Sequence, residues 1–143
     1  TMMGDTVNLA ARLEASAKQY GIYIQIADTT YQPVKDQIVI RDLDFVRVMG
    51  KTEPAQVYEL ISETGQEPEL YKKILPAFHE ALALYRNQEW NNAIEAFNAS
   101  DELEDMFPGR KTNPSRIYIP RCEHYRDNSP GDDWDGAWTL TSK

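Results

Sequence analysis

Three features of the sequence predict an α+β fold that is followed by an α-helical extension. The first is an apolar helical stripe near the start of the chain, and the second is a set of short runs rich in β-branched residues, which are typical of strands. The third is the return of the helical period after a polar connection with glycine and proline. We therefore predict an α+β unit at residues 1–63, a linker at residues 64–68 and a helical unit at residues 69–143.

The composition excludes several classes of protein. The chain has 143 residues and a formal net charge of -8. Hydrophobic residues make up 41% of it and charged residues 27%, and this hydrophobic fraction is too high for a disordered protein. The acidic balance argues against a nucleic-acid partner, and the single cysteine cannot form an internal disulfide. The sequence contains neither a signal peptide pattern nor an apolar run that could span a membrane. We expect a cytoplasmic protein, and the abrupt start at Thr1 reads like part of a longer chain.

In the first unit, the spacing predicts a helix that is capped by Asp5 or Thr6 and ends at Gly21. The apolar stripe of this helix comprises Leu9, Leu13 and Ala17. Strands are predicted at residues 23–26, 38–40, 45–48 and 56–60, with a brief helix at residues 28–34.

In the second unit, two helical stripes at residues 70–85 and 90–97 are separated at Asn87, which predicts an antiparallel helix pair. A loop at residues 105–114 leads to a third helix at residues 115–126, in which Pro120 is expected to cause a kink or a shortening. The tail at residues 134–140 is predicted either to form a short β-hairpin arm or to pack its aromatic side chains onto the helices.

Asn8 and Arg12 are the best candidates for a functional site. They lie four residues apart on the first predicted helix, so their side chains project from the same face, one turn apart. A guanidinium matches the geometry of a phosphate, and a neighbouring amide suits a sugar oxygen. The same spacing is more often the solvated polar face of an amphipathic helix, so the spacing alone does not decide.

Two ordered motifs carry a family resemblance. The segment GDTVNLAARLE at residues 4–14 closely resembles the signature of the class III adenylate/guanylate cyclase catalytic domain. The segment FVRVMGKTEPAQVYEL at residues 45–60 resembles the closing strands of that domain, at the expected distance. The resemblance covers residues 1–61 and implies the second half of a ferredoxin-like catalytic domain of the bacterial adenylate cyclase type.

The resemblance also implies a reaction and the residues that serve it. An adenylate cyclase converts ATP to 3',5'-cyclic AMP and pyrophosphate in intracellular signalling. By position, Asn8 would orient the ribose, and Arg12 would stabilise the charge that develops on the α-phosphate. Thr1 falls at the purine-selecting position, and threonine there resembles the adenylate cyclase branch found in many bacteria. A guanylate cyclase is disfavoured by Thr1.

One position departs from the family pattern. The family usually has a lysine just before the glycine of the late turn, where it contacts the terminal phosphates, and this sequence has Met49 there. Lys51 and Arg47 are near enough to substitute in part, but neither is at the matching position. We therefore expect weakened triphosphate binding or a degenerate site.

The resemblance implies a two-metal reaction with Mg²⁺ or Mn²⁺. The two metal-binding aspartates and the purine-contacting lysine of the family come before the position of Thr1. The family's sites also form between two catalytic domains, which implies a homodimer. We expect this chain to be inactive alone, and to dimerise or exchange strands because the uncovered half would expose strand edges.

The helical unit resembles a single tetratricopeptide unit. The large and small residues that follow its order are Leu84, Trp90, Ala93, Phe97 and Ser100. One repeat is too few for an independent solenoid, so we expect a helical cap packed on the cyclase half or on a partner chain. A groove for a protein partner is the alternative. Residues 117–136 also resemble the C-terminal extension of bacterial cyclases with membrane-anchored sensor modules, which implies the cytoplasmic portion of such a protein.

The remaining polar residues show no metal-site pattern. We interpret the acidic residues Glu102, Glu104, Asp105, Asp132 and Asp133 as solvated surface charge, since they lack the spacing of a calcium loop. His79, His124 and Cys122 have no zinc-ligand spacing, and Cys122 is predicted to be a packed thiol.

A function of a different class competes with the enzyme. A degenerate cyclase homology domain could serve as a non-catalytic module for dimerisation and protein binding. Met49 favours this alternative, whereas the intact pair Asn8 and Arg12 favours the enzyme.

Overall fold

The structure, a computed structural model, describes residues 17–47, 52–104 and 110–139. In these ranges a sheet comes first and three longer helices follow, which confirms the α+β prediction. The elements are α1 (residues 17–20), β1 (Gln25–Ala27), α2 (Asp28–Tyr31), a 3-10 turn (Gln32–Val34), β2 (Ile38–Arg47), β3 (Ala55–Glu63), α3 (Glu69–Arg86), α4 (Trp90–Leu103), α5 (Pro114–Asp127) and β4 (Trp138–Thr139).

The described strands form one mixed sheet in the order β1-β3-β2-β4. Strand β3 pairs antiparallel with both β1 and β2, and β4 pairs parallel with β2. The prediction of two strands at residues 38–40 and 45–48 is wrong, because the polar residues between them continue a single strand of 10 residues. The ladder between β2 and β3 supplies these residues with backbone partners.

A β-bulge shapes the middle of β2. Asp42 lies opposite Tyr58 and Asp44 lies opposite Val57, so Leu43 is an extra residue on this strand. Consecutive side chains normally point to opposite faces of a sheet. At the bulge, by contrast, Leu43 and Asp44 are both buried.

The helices confirm most of the predicted pattern. Helix α3 ends at Arg86, and residues 87–89 connect it to α4. Helix α5 continues through Pro120 to Asp127, so the expected shortening does not occur. Helices α3, α4 and α5 share one core, whose buried residues are Phe78, Ala81, Leu82, Tyr85, Ala93, Phe97, Tyr118 and Cys122.

The C-terminal tail does not form the predicted β-hairpin. Instead, β4 extends the sheet as a parallel strand beside β2. The second alternative, aromatic packing, is confirmed. The Trp134 and Trp138 rings lie 5.1 and 5.3 Å from the ring of Tyr125 on α5, between ring centroids.

A second core joins the end of α1 to the sheet. It consists of Ala17, Tyr20, Ile22, Leu43 and Val57, and Ile117 from α5 packs against it. Helix α5 therefore contributes to both cores, and the division into two domains stays a prediction. No helix in the described ranges is long and apolar enough to cross a membrane.

Candidate functional site

The predicted site residues Thr1, Asn8, Arg12 and Lys51 lie outside the described residues, as does Met49. The structure does describe the segments that border them. These are α1, at the end of the helix predicted to carry Asn8 and Arg12, and the ends of β2 and β3 on either side of residues 48–51.

Arg47 connects the ends of β2 and β3 to the C-terminal tail. Its Nε donates a hydrogen bond to the backbone oxygen of Thr52, 2.9 Å away. Its guanidinium forms an ion pair with Asp135 and donates to Oγ1 of Thr139 at 3.3 Å. The charge of Arg47 is thus already paired, which disfavours the expectation that it substitutes for the missing phosphate-binding lysine.

Asp44 on β2 is the centre of a buried polar cluster, which we call the Asp44 cluster: Tyr20, Asp44, Tyr118 and Arg121. The two terminal nitrogens of Arg121 contact the two carboxylate oxygens of Asp44 at 2.9 and 2.8 Å. The hydroxyl of Tyr20 donates to Oδ2. The hydroxyl of Tyr118 lies 2.8 Å from the backbone oxygen of Leu43 and 3.0 Å from Oδ1. The backbone N–H of Phe45 donates to Oδ1 at 2.8 Å. The carboxylate therefore accepts from donors on three separate elements.

Burial and the charge of Asp44 together set the protonation states in the Asp44 cluster. Burial raises the pKa of Tyr20 and of Tyr118 well above the usual value, and the charge of Asp44 raises both further. Burial lowers the pKa of Arg121, but the charge of Asp44 and the hydrogen bonds to it raise that pKa by more. Both phenols therefore remain neutral donors and Arg121 remains a cation across the physiological pH range.

Two further contacts attach the end of α1 to the segment that leads into α5. Gly21 has a positive φ of 77°, and a Cβ there would lie 1.9 Å from the backbone oxygen of Thr112. Glycine is therefore required both for the left-handed backbone and for this close approach. Asn113 caps α5 by accepting a hydrogen bond from the N–H of Arg116, and Nε of Arg110 donates to the backbone oxygen of Ile22 at 2.9 Å.

A second buried cluster, the Arg41 cluster, consists of Arg41, Glu59 and Glu104. The terminal nitrogens of Arg41 contact both carboxylate oxygens of Glu104 at 2.8 and 2.7 Å. Nε of Arg41 donates to Oε1 of Glu59 at 2.8 Å. The guanidinium also lies over the ring of Phe78, 4.9 Å from its centroid. The prediction that Glu104 is solvated surface charge is therefore wrong, because this residue is buried and paired with Arg41.

The other candidate metal ligands, His79 and Cys122, have roles in the packing of the fold. Nε2 of His79 accepts the backbone N–H of Asp42 at 3.1 Å, and burial lowers the pKa of His79. The Cys122 thiol is buried, as predicted, and burial raises its pKa to about 12. Within the described ranges, no group of three or more His, Cys, Asp or Glu side chains is arranged to hold a metal ion.

Sequence reasoning missed both clusters. A signal was present, because Arg41, Asp42 and Asp44 interrupt an apolar strand pattern where solvated charges would be unexpected on a buried face. Their partners Glu104 and Arg121 are 63 and 77 residues away along the chain. No local pattern connects such distant positions.

Two curated proteins are similar to the chain, and both are named as adenylate cyclases. The chain is 36% identical over 126 residues to "Adenylate cyclase, terminal-differentiation specific" of Dictyostelium discoideum. This match covers 85% of the chain and 6% of that relative. It is 34% identical over 61 residues to "Adenylate cyclase 1" of Rhizobium meliloti (strain 1021), which covers 43% of the chain and 9% of that relative. No family model and no solved structure matches the chain.

These similarities establish a relationship with proteins named adenylate cyclase. The chain spans less than a tenth of the length of either relative. The match to the Dictyostelium protein covers 85% of the chain, which is far more than residues 1–63, so it must continue into the helical unit. The extension is therefore part of what the chain shares with this relative.

Proposed function

We propose that the chain is the C-terminal part of a bacterial-type class III adenylate cyclase, which converts ATP to cyclic AMP and pyrophosphate. The observation that carries the proposal is the similarity over 85% of the chain to a protein named adenylate cyclase. The motif at residues 4–14 supports it, because it supplies the amide and guanidinium that this reaction needs.

In the proposed reaction, the ribose 3'-hydroxyl attacks the α-phosphorus of ATP. Negative charge builds up on the equatorial oxygens of the phosphorus, and Arg12 stabilises it with a planar donor fork. Asn8 holds the ribose so that the hydroxyl approaches in line. The Thr1 hydroxyl accepts a hydrogen bond from the adenine amino group, and Lys51 binds the terminal phosphates in place of the lysine that Met49 replaces.

The metal requirement points to residues beyond the described set. The proposed reaction uses two Mg²⁺ or Mn²⁺ ions, which would neutralise phosphate charge and activate the attacking hydroxyl. The described residues offer no fitting group of ligands. Because the family resemblance places the two metal-binding aspartates before Thr1, we expect the ligands to come from other parts of the catalytic unit, across a homodimer interface, and the chain alone to be inactive.

The helical unit acts, in this proposal, as a cap on the cyclase half in the cytoplasm. The shared core residue Ile117 and the two buried clusters support this role over that of a free adaptor. Binding of a protein partner by a tetratricopeptide-like groove remains the alternative for this unit.

The direct test is the production of cyclic AMP by the full-length protein with Mn²⁺ or Mg²⁺. Arg12→Ala should lower kcat by about 10²- to 10³-fold, as for the loss of one transition-state donor. Arg126→Ala on the exposed face of α5 is the matched control and should have no effect. Met49→Lys should lower the KM for ATP, and GTP should be a poor substrate.

The competing function is a degenerate, non-catalytic cyclase homology module, and Met49 favours it. A full-length protein that dimerises but makes no cyclic AMP, even with Met49→Lys, would establish this alternative and refute the enzyme. A folded wild type with measurable activity that depends on Arg12 would refute the module.

A further inference from the structure

His79 attaches α3, the first helix of the extension, to the bulge of β2. Its Nε2 accepts a hydrogen bond from the backbone N–H of Asp42, 3.1 Å away. Asp42 comes just before Leu43, where the regular pairing of β2 with β3 is interrupted. At this point of the sheet, a backbone donor therefore depends on a side chain that can change its protonation state.

Two other backbone groups at the bulge also bond to side chains. The hydroxyl of Tyr118 lies 2.8 Å from the backbone oxygen of Leu43. The N–H of Phe45 donates to Oδ1 of Asp44 at 2.8 Å. Of the three side-chain types involved, only histidine has an ordinary pKa between about pH 5 and 8. The contact of His79 is therefore the one of these three that a change of pH in this range can reverse.

The hydrogen bond requires a neutral imidazole. A neutral histidine has one acceptor nitrogen, whereas both ring nitrogens of the charged form are donors. Protonation of Nε2 sets a donor against the N–H of Asp42, so this contact is lost. The negative charge of the Asp42 side chain favours the charged imidazole. The protonated form therefore has an alternative partner in the same residue.

The surroundings of His79 favour the neutral form. Burial lowers the pKa of His79 below the ordinary value of 6.5, the charges of Arg41 and Arg86 lower it further, and the charge of Asp42 raises it. These groups belong to β2 and to α3 itself. Because the folded state binds fewer protons at His79 than the unfolded state, the contribution of His79 to stability is full above pH 6.5. It is lost as the pH falls through the folded pKa.

A neighbouring contact holds α3 against the sheet in both protonation states. The guanidinium of Arg41 lies over the ring of Phe78, one residue before His79, at 4.9 Å from the ring centroid. Arg41 is itself paired with Glu59 and Glu104, and an arginine keeps its charge throughout this pH range. Protonation of His79 therefore changes the contact at the bulge while the packing beside it persists.

We propose that His79 is a pH-sensitive switch between the sheet and the helical extension. The neutral imidazole ties α3 to the backbone of β2 at the bulge, and the protonated imidazole releases the N–H of Asp42 and pairs with the Asp42 carboxylate instead. Acidification thus loosens the middle of β2 from α3 without unfolding the chain. This inference concerns the described residues alone and does not depend on the proposed function.

The test measures backbone amide hydrogen exchange in the full-length protein by mass spectrometry, on peptides that contain Asp42. Two variants represent the two states of the switch. His79→Gln has an amide oxygen that can accept the Asp42 N–H at every pH, and His79→Phe keeps a ring without an acceptor. All rates are compared at the same pH, since the intrinsic exchange rate itself depends on pH.

At pH 8 the wild type should exchange at the rate of His79→Gln, about 2- to 10-fold more slowly than His79→Phe, as expected for one hydrogen bond. As the pH falls to 5, the wild type should move toward the rate of His79→Phe. A constant ratio between the wild type and His79→Gln over this range would overturn the switch.

A second measurement needs no variant at His79. Deuterium exchange at C2 of the imidazole, followed in the wild type, reports the protonation of His79 directly, and its midpoint should lie below pH 6.5. A midpoint at or above 6.5 would overturn the proposal. Asp42→Asn keeps the backbone N–H and removes the carboxylate, so the midpoint should move to a lower pH. An unmoved midpoint would refute the pairing with the carboxylate.

The matched control is His124→Gln, because His124 on α5 is the other of the two histidines of the chain. This variant should keep the pH response of the wild type at Asp42. A response that disappears in His124→Gln would assign the titration to α5 and overturn the role of His79.

Discussion

Two buried ionic clusters join the sheet to the helical extension, and they differ in charge balance and in reach. The Arg41 cluster sets one guanidinium against two carboxylates and connects β2 and β3 to the end of α4. The Asp44 cluster sets one guanidinium against one carboxylate, with two phenols as neutral donors, and connects β2 to both α1 and α5.

The difference shows that buried charge can serve two purposes in one small fold. The Arg41 cluster has one carboxylate more than it has cations. Burial raises the pKa of Glu59 there, although the charge of Arg41 lowers it. Burial lowers the pKa of Arg41, but the hydrogen bonds to Glu104 and the charge of Glu59 raise it by more. This cluster attaches α4 to the sheet, whereas the Asp44 cluster also fixes the end of α1.

The largest expected effect is that of Arg41→Met, which leaves two carboxylates buried without a cation. Breaking a buried pair in this way costs about 3–5 kcal/mol of unfolding free energy. Urea denaturation of the wild type and the variant measures it. A loss below about 1 kcal/mol would show that water or protonation compensates both carboxylates.

Asp44→Asn should come second. It leaves Arg121 without its counter-ion, but the Arg121 side chain retains 9% exposure and so some access to water. We expect a loss of about 3 kcal/mol in the same assay. A loss larger than that of Arg41→Met would reverse the ranking of the two clusters.

Within the Arg41 cluster, Glu104→Gln should cost more than Glu59→Gln. Glu104 accepts from two terminal nitrogens through both of its oxygens, whereas Glu59 uses Oε1 alone. Loss of the bidentate pair should cost about 1.5–3 kcal/mol, and Glu59→Gln less than about 1 kcal/mol. Equal losses in paired urea titrations would contradict the geometric ranking.

The excess carboxylate also predicts a pH dependence. The pKa of Glu59 is higher in the folded chain than its ordinary value of 4.5. Just above pH 4.5 the folded state therefore binds more protons than the unfolded state. The contribution of Glu59 protonation to the free energy of unfolding is thus full below pH 4.5 and is lost as the pH rises through the folded pKa. Unfolding free energies measured across this window should fall for the wild type more than for Glu59→Gln. Parallel curves would refute the assignment.

The smallest effect is expected for Arg126→Met on the exposed face of α5. Arg126 donates to Oδ1 of Asn91 at 3.1 Å, in solvent. We expect a change within about 0.5 kcal/mol, as for most surface substitutions. A larger loss would mean that partly exposed contacts of α5 rival the two clusters.

Local patterns predicted those parts of the fold that depend on neighbouring residues. The end of α1 at Gly21, the brief helix after β1, the position of β3 and the break at Asn87 all follow from spacing and turn chemistry, and the structure confirms them. The bulge at Leu43 could not be predicted, because it depends on the register with β3. Because the bulge could not be predicted, the burial of Asp44 beside Leu43 could not be predicted either.

By itself, the sequence determined the α+β class, the helix period of the extension and the motif that relates the chain to adenylate cyclases. Its predictions for Thr1, Asn8, Arg12 and Lys51 stay predictions, because these residues lie outside the described ranges. Only the tertiary structure decided which charges are buried and which elements they join. The physical reason is that a charge can be buried only with a partner, and Glu104 and Arg121, the partners of Arg41 and Asp44 in the helical extension, lie 63 and 77 residues away along the chain.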